Sequence, residues 1–236
     1  MKKMIFVFFI FLSLTNFNVN INAQNIYFGI EGDGLGVVVG NTVKYYHYEN
    51  GWKEYQSLEF TLPNGHRNVF GPDWDILSVV VGNAVKYYYY DNDNGWKENQ
   101  SMEFILPNGY RSIIGIPYVC DLGVVVGNAV KFYYYDKCWK ENQRLEFTLP
   151  NGYKSVFAFY FDTFGVVVGN AVKYYDRNNS NGFKENQSME FTLPNGYRSV
   201  FGLDRDSLGV VVGNAVKYYY YDNGWKENQS KEFNLK

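Results

Sequence analysis

The sequence predicts an all-β fold, a five-bladed β-propeller with four-stranded antiparallel blades, and two observations carry this prediction. Five similar segments of about 42–45 residues follow one another, and each contains one Gly-Asn pair, which begins at Gly40, Gly82, Gly127, Gly169 and Gly213. This period is that of propeller blades and exceeds the ~33–34 residues of common helical repeats. Each segment also contains four strand signals separated by turn residues, with no helical periodicity.

The four strands can be followed in order through the last repeat. Aromatic and β-branched residues at 198–202 predict the first strand, and Gly-Val-Val-Val predicts the second. Gly213-Asn214 suits a tight hairpin and leads into the third strand, Val-Lys-Tyr-Tyr-Tyr-Tyr, which Asp-Asn-Gly closes. The fourth strand alternates apolar and polar residues, as in the Ser-Met-Glu-Phe of two other repeats. Pro63-Asn64-Gly65 and its equivalents turn the chain into the next repeat.

The third strand has tyrosines at successive positions, so both of its faces need cover. A propeller provides that cover because each blade is sandwiched between two neighbours, whereas a single sheet would expose one face. A β-solenoid is the main alternative, but its coils are usually shorter. The chain from Asn25 to Lys236 holds five complete blades. We favour this division over a closure in which the strand containing Tyr27 completes the last blade.

The order of these signals resembles that of kelch repeats. A Leu-Pro turn, a first strand, an apolar strand ending in glycine, a Tyr-rich strand ending in Asp, and a Trp follow one another. In size and repeat number the chain also resembles five-bladed lectins of the tachylectin type. The first resemblance implies a propeller repeat, and the second implies sugar sites between blades.

The N-terminus has the three-part pattern of a secretory signal peptide. Met-Lys-Lys precedes an apolar run from Met4 to Leu14, and a polar stretch then ends at Ala23. We therefore predict a signal peptide at residues 1–23, a propeller domain at residues 24–236, and a secreted protein, extracellular or, in a bacterial host, periplasmic. A membrane anchor is the alternative. However, the apolar run is about half the ~20 residues that span a bilayer, so no stable membrane insertion is expected after cleavage.

Charge and composition exclude some partners and leave others open. A formal net charge of -2 and a pI near 5.8 lack the basic footprint of a nucleic-acid binder. The sequence contains no histidine-cysteine cluster and no glycine-rich phosphate loop, so neither a metal nor a cofactor is predicted. Cys120 and Cys138 belong to one repeat, and in an oxidising compartment they either form a disulfide or remain free thiols.

Alternate connections of an up-and-down blade emerge on the same side. The length-variable loops after the first strands therefore share one face with the Asp-Asn-Gly-Trp turns, and we place the candidate ligand site on that face. Each variable loop contains an aspartate, namely Asp33, Asp75, Asp121, Asp162 and Asp206. These carboxylates contact a ligand, either a sugar or a cation, or they cap their own turns. We favour the capping role.

Large aromatic residues open the fourth strand on the same face, namely Trp52, Trp96, Trp139, Phe183 and Trp225. They either stack on a sugar ring or fill the space between blades, and we favour the second interpretation. Trp74 occurs in one loop only and is a candidate exposed anchor. The segment 91–95, Asp-Asn-Asp-Asn-Gly, lacks the twelfth-position glutamate of a calcium loop, so we interpret it as a lengthened hairpin.

The leading functional hypothesis is a multivalent, lectin-like carbohydrate-binding module in which up to five weak sites act together. A protein-binding or extracellular-matrix scaffold is the alternative, and a glycosidase is third. We predict no enzyme and no catalytic residue. His47 and His66 each occur once among five repeats, and near-identical repeats argue against the unlike carboxylates that catalysis needs.

Overall fold

The computed structural model describes residues 26–30, 34–116, 121–160, 162–178 and 182–234, and these residues form five small antiparallel sheets. Blade 1 contains β1 (Ile26–Ile30), β2 (Gly34–Val39), β3 (Thr42–Tyr48), β4 (Trp52–Glu54) and β5 (Phe60–Thr61). Blade 2 contains β6 (His66–Asp73), β7 (Ile76–Val81), β8 (Ala84–Asp91), β9 (Gly95–Glu98) and β10 (Phe104–Ile105). The predicted all-β, five-bladed propeller is therefore confirmed.

The other blades repeat this plan. Blade 3 contains β11 (Tyr110–Ile116), β12 (Asp121–Val126), β13 (Ala129–Asp136), β14 (Cys138–Glu141) and β15 (Phe147–Thr148). Blade 4 contains β16 (Tyr153–Tyr160), β17 (Thr163–Val168), β18 (Ala171–Asn178) and β19 (Gly182–Thr192). Blade 5 contains β20 (Tyr197–Asp204), β21 (Ser207–Val212), β22 (Ala215–Tyr221), β23 (Trp225–Glu227) and β24 (Phe233–Asn234).

The fourth strand of a blade is broken in two except in blade 4. In the broken strands, both pieces pair with the third strand of the same blade. A short 3₁₀ turn separates the pieces, at Gln56–Leu58, Gln100–Met102, Gln143–Leu145 and Gln229–Lys231. In blade 4 the corresponding strand β19 runs through the whole segment. The outer rim of the other four blades thus consists of short strands, which limits edge-to-edge pairing between molecules.

Each sheet consists of consecutive residues, and the first strand of each blade is the innermost. The first strands pack in the closed order β1, β6, β11, β16, β20 and back to β1. The ring therefore closes by packing of β1 against β20, without a blade shared between the two ends of the chain. This confirms the division into five complete blades over the closure with mixed strands.

Small residues allow the innermost strands to approach one another closely. Gly29, Gly71, Gly115, Ala158 and Gly202 occupy the same position in the five first strands. A Cβ atom on Gly29 would lie well inside contact distance of the Gly202 carbonyl oxygen, and one on Gly202 would meet the carbonyl oxygen of Ala158 in the same way. Between blades 4, 5 and 1 the centre of the ring is therefore backbone packed against backbone, whereas Cβ atoms on Gly71 and Gly115 would meet the rings of Phe28 and Phe70.

The two ends of the propeller carry different turns. The connections from first to second strand and from third to fourth strand emerge at one end, which we call the variable face. The Gly-Asn turns and the Leu-Pro-Asn-Gly turns emerge at the other end, which we call the repeated face. Two hydrogen bonds tie its turns together in blade 1: the Leu62 N–H donates to the Asn41 backbone carbonyl (2.9 Å), and the Asn41 amide donates to the Leu62 carbonyl (2.8 Å).

Tyrosines of the third strands fill the junctions between blades on both sides. Tyr45 of blade 1 is fully buried and stacks on Trp96 of blade 2, with ring centroids 5.8 Å apart. The next residue, Tyr46, points the other way and packs on Phe233 of blade 5 at 4.8 Å. The alternation of strand side chains therefore sends successive tyrosines into the two neighbouring junctions. This is the cover that the sequence required for both faces.

Removing a buried hydroxyl from one of these junctions is expected to stabilise the fold. The Tyr45 hydroxyl is buried without a hydrogen-bond partner among the described residues, and burial raises the pKa of Tyr45 well above its ordinary value. Phe132 occupies the same position in blade 3. We expect Tyr45→Phe to raise the free energy of unfolding by about 1 kcal/mol in urea denaturation.

Tyr46→Phe is the control for this change. The Tyr46 hydroxyl is partly exposed and donates to Glu54 Oε2 (3.3 Å). Its removal therefore does not relieve a buried, unpaired polar group, and no increase in the free energy of unfolding is expected. We expect Tyr46→Phe to be neutral or to destabilise by less than about 1 kcal/mol. Equal effects of the two substitutions would contradict the account given for Tyr45.

Candidate functional site

The predicted aromatic positions at the start of the fourth strands lie at the blade junctions. Trp52 packs on Tyr218 and Phe233 of blade 5, with ring centroids 5.3 and 5.4 Å apart. Its indole N–H donates to the backbone carbonyl of Lys231 at 3.0 Å. The ring is half-buried, so the side chain joins the first blade to the last one.

The other members of this set occupy the same place in their own junctions. The indole N–H groups of Trp96, Trp139 and Trp225 donate to the carbonyls of Leu58, Met102 and Met189 in the preceding blades, at 2.8–2.9 Å. Phe183 lacks this donor and packs between rings of blade 3, Phe132 at 5.3 Å and Phe147 at 5.7 Å. All five rings therefore contribute to inter-blade packing, and their ligand-binding role stays a prediction.

The predicted aspartates do not share one environment. Asp33 lies outside the described residues. Asp75 and Asp206 are exposed, and their backbone carbonyls accept the N–H groups of Tyr90 and Tyr221, both at 2.8 Å. These main-chain bonds tie each variable loop to the end of the third strand. Such bonds do not involve the carboxylates, and Asp206 Oδ1 separately accepts the Ser207 hydroxyl at 3.3 Å.

Asp121 and Asp162 are partly buried. Asp121 begins β12, and burial raises the pKa of its carboxyl group, opposed by the Arg177 charge. The Asp162 carboxylate accepts the Thr163 hydroxyl at 3.0 Å and forms a loose ion pair with Arg205 of blade 5 at 3.6 Å. Within the described part of the chain, no three His, Cys, Asp or Glu side chains come together as a metal-binding group.

Trp74 reaches from its loop in blade 2 onto blade 1. Its ring lies edge-on to Tyr55, with centroids 5.5 Å apart, and it fills the space that a Cβ on Gly34 would occupy. The side chain is half-buried. It therefore covers the start of β2 and presents only part of its surface to solvent.

The segment 91–95 forms a hairpin whose first carboxylate is used internally. Asp91 Oδ1 accepts the Asp93 backbone N–H at 2.9 Å, and Asp91 Oδ2 pairs with Lys97 at 2.5 Å. The hydrogen bond from Lys97, together with these turn contacts, lowers the pKa of Asp91 to about 2. This arrangement agrees with the interpretation of the segment as a lengthened hairpin.

Of the two cysteines of the predicted disulfide, the structure describes one. Cys138 begins β14, is exposed and forms no disulfide with another described residue. Cys120 lies outside the described residues, so the choice between a disulfide and two thiols stays open. The signal peptide of residues 1–23 likewise lies outside the described residues.

A cavity of about 350 Å³ opens on the variable face in blade 5, beside the cluster in which Leu203 and Tyr218 pack against blade 1. It is lined by Leu203, Asp204, Ser207, Tyr218, Tyr219, Tyr220, Asn228 and Lys231. The Lys231 ammonium lies 5.5 Å from the centre of the Tyr48 ring, which belongs to blade 1. Residues with aromatic, carboxylate, hydroxyl, amide and ammonium groups thus line one concave site, although the Tyr219 ring itself packs on Phe191 of blade 4 at 4.8 Å.

None of these residues was predicted from the sequence as part of a site. Asp204 and Ser207 lie beside the predicted Asp206, but Asn228 and Lys231 belong to a segment that recurs in the other repeats. The cavity arises from the way the 3₁₀ turn of blade 5 approaches the loop between β20 and β21, which a repeat pattern does not reveal.

Sequence comparison finds no known protein family that matches this chain and no curated protein that is significantly similar. Solved structures do match. A functionally unknown protein from Desulfotomaculum acetoxidans is 14% identical with a TM-score of 0.47, over 88% of this chain and 69% of that one. A protein from Lactobacillus plantarum is 10% identical with a TM-score of 0.44, over 86% and 69% of the two chains.

Kluyvelomyces marxianus Hsv2 also matches, at 9% identity and a TM-score of 0.47, over 90% of this chain and 100% of that one. No match supports kelch or tachylectin membership in particular. No helix in the described residues is long and apolar enough to cross a membrane. The fold and its loops define the class: this chain is a five-bladed β-propeller, a fold that suggests a binding module.

Proposed function

We propose that this protein is a secreted, non-enzymatic binding module that takes carbohydrate on the variable face, with the cavity of blade 5 as one binding site. The observation that carries the proposal is the cavity itself. Its volume of about 350 Å³ falls at the lower end of the ~300–1,000 Å³ that is typical of small-ligand pockets. The cavity therefore suits a small ligand, or the end of a carbohydrate chain, better than a folded protein.

The lining groups match the chemistry of a sugar. A sugar ring presents C–H groups to an aromatic face and hydroxyls to polar side chains. Tyr220 is 40% exposed and offers the aromatic face. The Asp204 carboxylate accepts hydroxyl protons, and Asn228 and Lys231 add an amide and an ammonium donor. A mixture of apolar walls and a few polar groups is what fixes a small ligand in one orientation.

Binding is a better interpretation than catalysis for these residues. Glycoside hydrolysis generally uses two carboxyl groups, about 5–9.5 Å apart, on either side of the bond that breaks. Among the described residues that line this cavity, Asp204 is the one carboxylic acid. A single carboxylate beside tyrosines supports hydrogen bonding to a sugar, and a glycosidase activity would need a second acid from elsewhere.

The proposal predicts that Tyr220→Ala weakens carbohydrate binding by about five- to tenfold, because an aromatic contact of this kind contributes about 1–1.5 kcal/mol. The measurement is a glycan array with the full chain, followed by titration calorimetry with the sugar that the array selects. Tyr134→Ala is the matched control, because Tyr134 occupies the same strand position in blade 3 and is 37% exposed. We expect this control to keep full affinity.

Two outcomes would contradict the proposal. Flat signals on every glycan would remove carbohydrate as the ligand. Equal losses for Tyr220→Ala and Tyr134→Ala would remove the cavity as the site. Clustered glycans that bind much more strongly than single ones would support several weak sites acting together.

A protein-binding scaffold is the second candidate, and one observation favours it. Tyr89, Tyr134 and Tyr220 lie at equivalent positions of three blades, and each is 37–42% exposed. Exposed tyrosines are enriched in protein interfaces. If the glycan arrays stay flat, crosslinking to extracellular proteins that is lost in the triple alanine variant would support this second function.

A further inference from the structure

A cationic residue recurs at one position of the innermost strands. Arg67, Arg111, Lys154 and Arg198 each follow one residue after a Pro-Asn-Gly turn, in blades 2 to 5. All four side chains are exposed. The corresponding position of blade 1 is Asn25, which lies outside the described residues. Four of the five blades thus place one positive charge at the beginning of the first strand, which is the end at the repeated face.

Each of these residues is the extra residue of a β-bulge. The pairing of β6 with β7 passes from His66 directly to Asn68, so that Arg67 has no partner on β7. The same shift leaves out Arg111, Lys154 and Arg198 in their own blades. A bulge re-aims the side chain of the extra residue, and bulges are frequent beside functional sites. The coincidence of cation and bulge in four blades therefore points to a use for these side chains.

The four charges surround the axis of the propeller. Their strands are the innermost ones and pack in the order β6, β11, β16, β20, so residues at one register stand at one level around the ring. The turns of the repeated face contain no acidic residue that would balance them. Summed positive charge at the mouth of a ring attracts and holds anions.

Most strand lysines in this protein are paired with an acidic residue, and these four cations differ from them. Lys44 forms an ion pair with Glu54 at 2.7 Å, and the equivalent Lys–Glu pair recurs in the other four blades at 2.7–2.9 Å. Within the described ranges, by contrast, Arg67, Arg111 and Arg198 have no acidic partner, and Lys154 lies 5.9 Å from the centre of the Tyr197 ring. Their charges are available to a ligand.

Polar side chains follow the cations along the same strands. The next residues are Asn68, Ser112, Ser155 and Ser199. Hydroxyl and amide groups donate to anionic oxygens, and arginine donates through two parallel N–H groups. Each of the four blades therefore offers one cation and one neutral polar group at the same level.

We propose that the axial end of the repeated face is a binding site for a compact polyvalent oxoanion, one that carries several phosphate or sulfate groups. The four cations stand at one end of neighbouring inner strands around the axis, so a compact ligand with several charges meets more of them than a single carboxylate would. The site lies on the face opposite the cavity of blade 5. It is therefore independent of the proposed carbohydrate site.

The test is titration calorimetry of the full chain with two probes, tripolyphosphate and a heavily sulfated disaccharide, with the unsulfated disaccharide as a blank. We expect saturable binding of at least one charged probe that an excess of the unsulfated disaccharide does not weaken, because any binding of the blank belongs to the proposed carbohydrate site on the opposite face. Arg111→Gln is expected to weaken binding roughly tenfold, because a hydrogen bond to a charged group is worth about 1.5–3 kcal/mol. The preferred probe then identifies whether phosphate or sulfate is the group recognised.

Arg144→Gln is the matched control, because Arg144 is exposed on the 3₁₀ turn at the outer rim of blade 3 and its loss changes the net charge equally. We expect this variant to bind like the unaltered protein. Circular dichroism with thermal melting verifies that both variants are folded. Absence of binding to both charged probes, or equal weakening by Arg111→Gln and Arg144→Gln, would overturn the proposal.

Discussion

Replacing Gly202 with valine is expected to unfold the propeller or to reduce its free energy of unfolding by more than about 3 kcal/mol. The Cβ of the new residue would overlap the backbone carbonyl oxygen of Ala158, and the neighbouring Phe159 Cα lies 2.7 Å from the same point. Backbone atoms of packed strands cannot move away as a flexible side chain does, so the innermost strands would have to separate. A loss of this size is a large part of the ~5–15 kcal/mol that stabilises an ordinary domain.

Ser199→Val is the control for this prediction. Ser199 lies on the same strand, is exposed, and accepts the same β-branched side chain without entering the centre of the ring. Urea unfolding followed by circular dichroism compares the two variants. We expect Ser199→Val to change stability by less than about 0.5 kcal/mol. A fully stable Gly202→Val protein would show that the ring centre is looser than the backbone contacts indicate.

The second large effect is expected for Trp52→Ala, with a loss of about 3 kcal/mol. Trp52 holds blade 1 against blade 5, and no peptide bond links these two blades directly, so non-covalent packing alone closes the ring there. The substitution removes the contacts with Tyr218 and Phe233 and leaves the Lys231 carbonyl without its indole donor. Urea denaturation monitored by circular dichroism measures the change.

Trp52→Phe separates packing from hydrogen bonding at the same site. Phe183 is a natural precedent, because phenylalanine fills the equivalent junction between blades 3 and 4. We expect Trp52→Phe to reduce the free energy of unfolding by about 1–2 kcal/mol, because the indole hydrogen bond is lost and the ring is smaller. If Trp52→Ala and Trp52→Phe reduced the free energy of unfolding by equally small amounts, the closing junction would not depend on this ring.

The architecture of this protein could be predicted well from its sequence because the information is local and repeated. The Gly-Asn and Asp-Asn-Gly turns fix which strands pair, and consecutive tyrosines require cover on two faces. Even the assignment of loops to two ends follows, since alternate connections of an up-and-down sheet must emerge on the same side.

The candidate site was predicted less well, and the reasons differ between residues. Trp52 was correctly placed at a blade junction by the favoured interpretation, yet its acceptor on Lys231 lies 179 positions away in the chain and leaves no local signal. Asp204 and Asn228 were missed because a cavity depends on the separation of two elements. The cations of the inner strands were missed for another reason: a β-bulge has no mark in the sequence, although the recurring Arg-Ser pair could have prompted a search.

By itself the sequence determined the number of blades, the order of the strands and the division into a variable and a repeated face, because periodicity and turn chemistry act over a few residues. Only the tertiary structure decided which rings are buried between blades, where a cavity opens and which cations lack an acidic partner among the described residues. Burial and charge pairing depend on distances between residues far apart in the chain, and those distances exist only once the ring has closed.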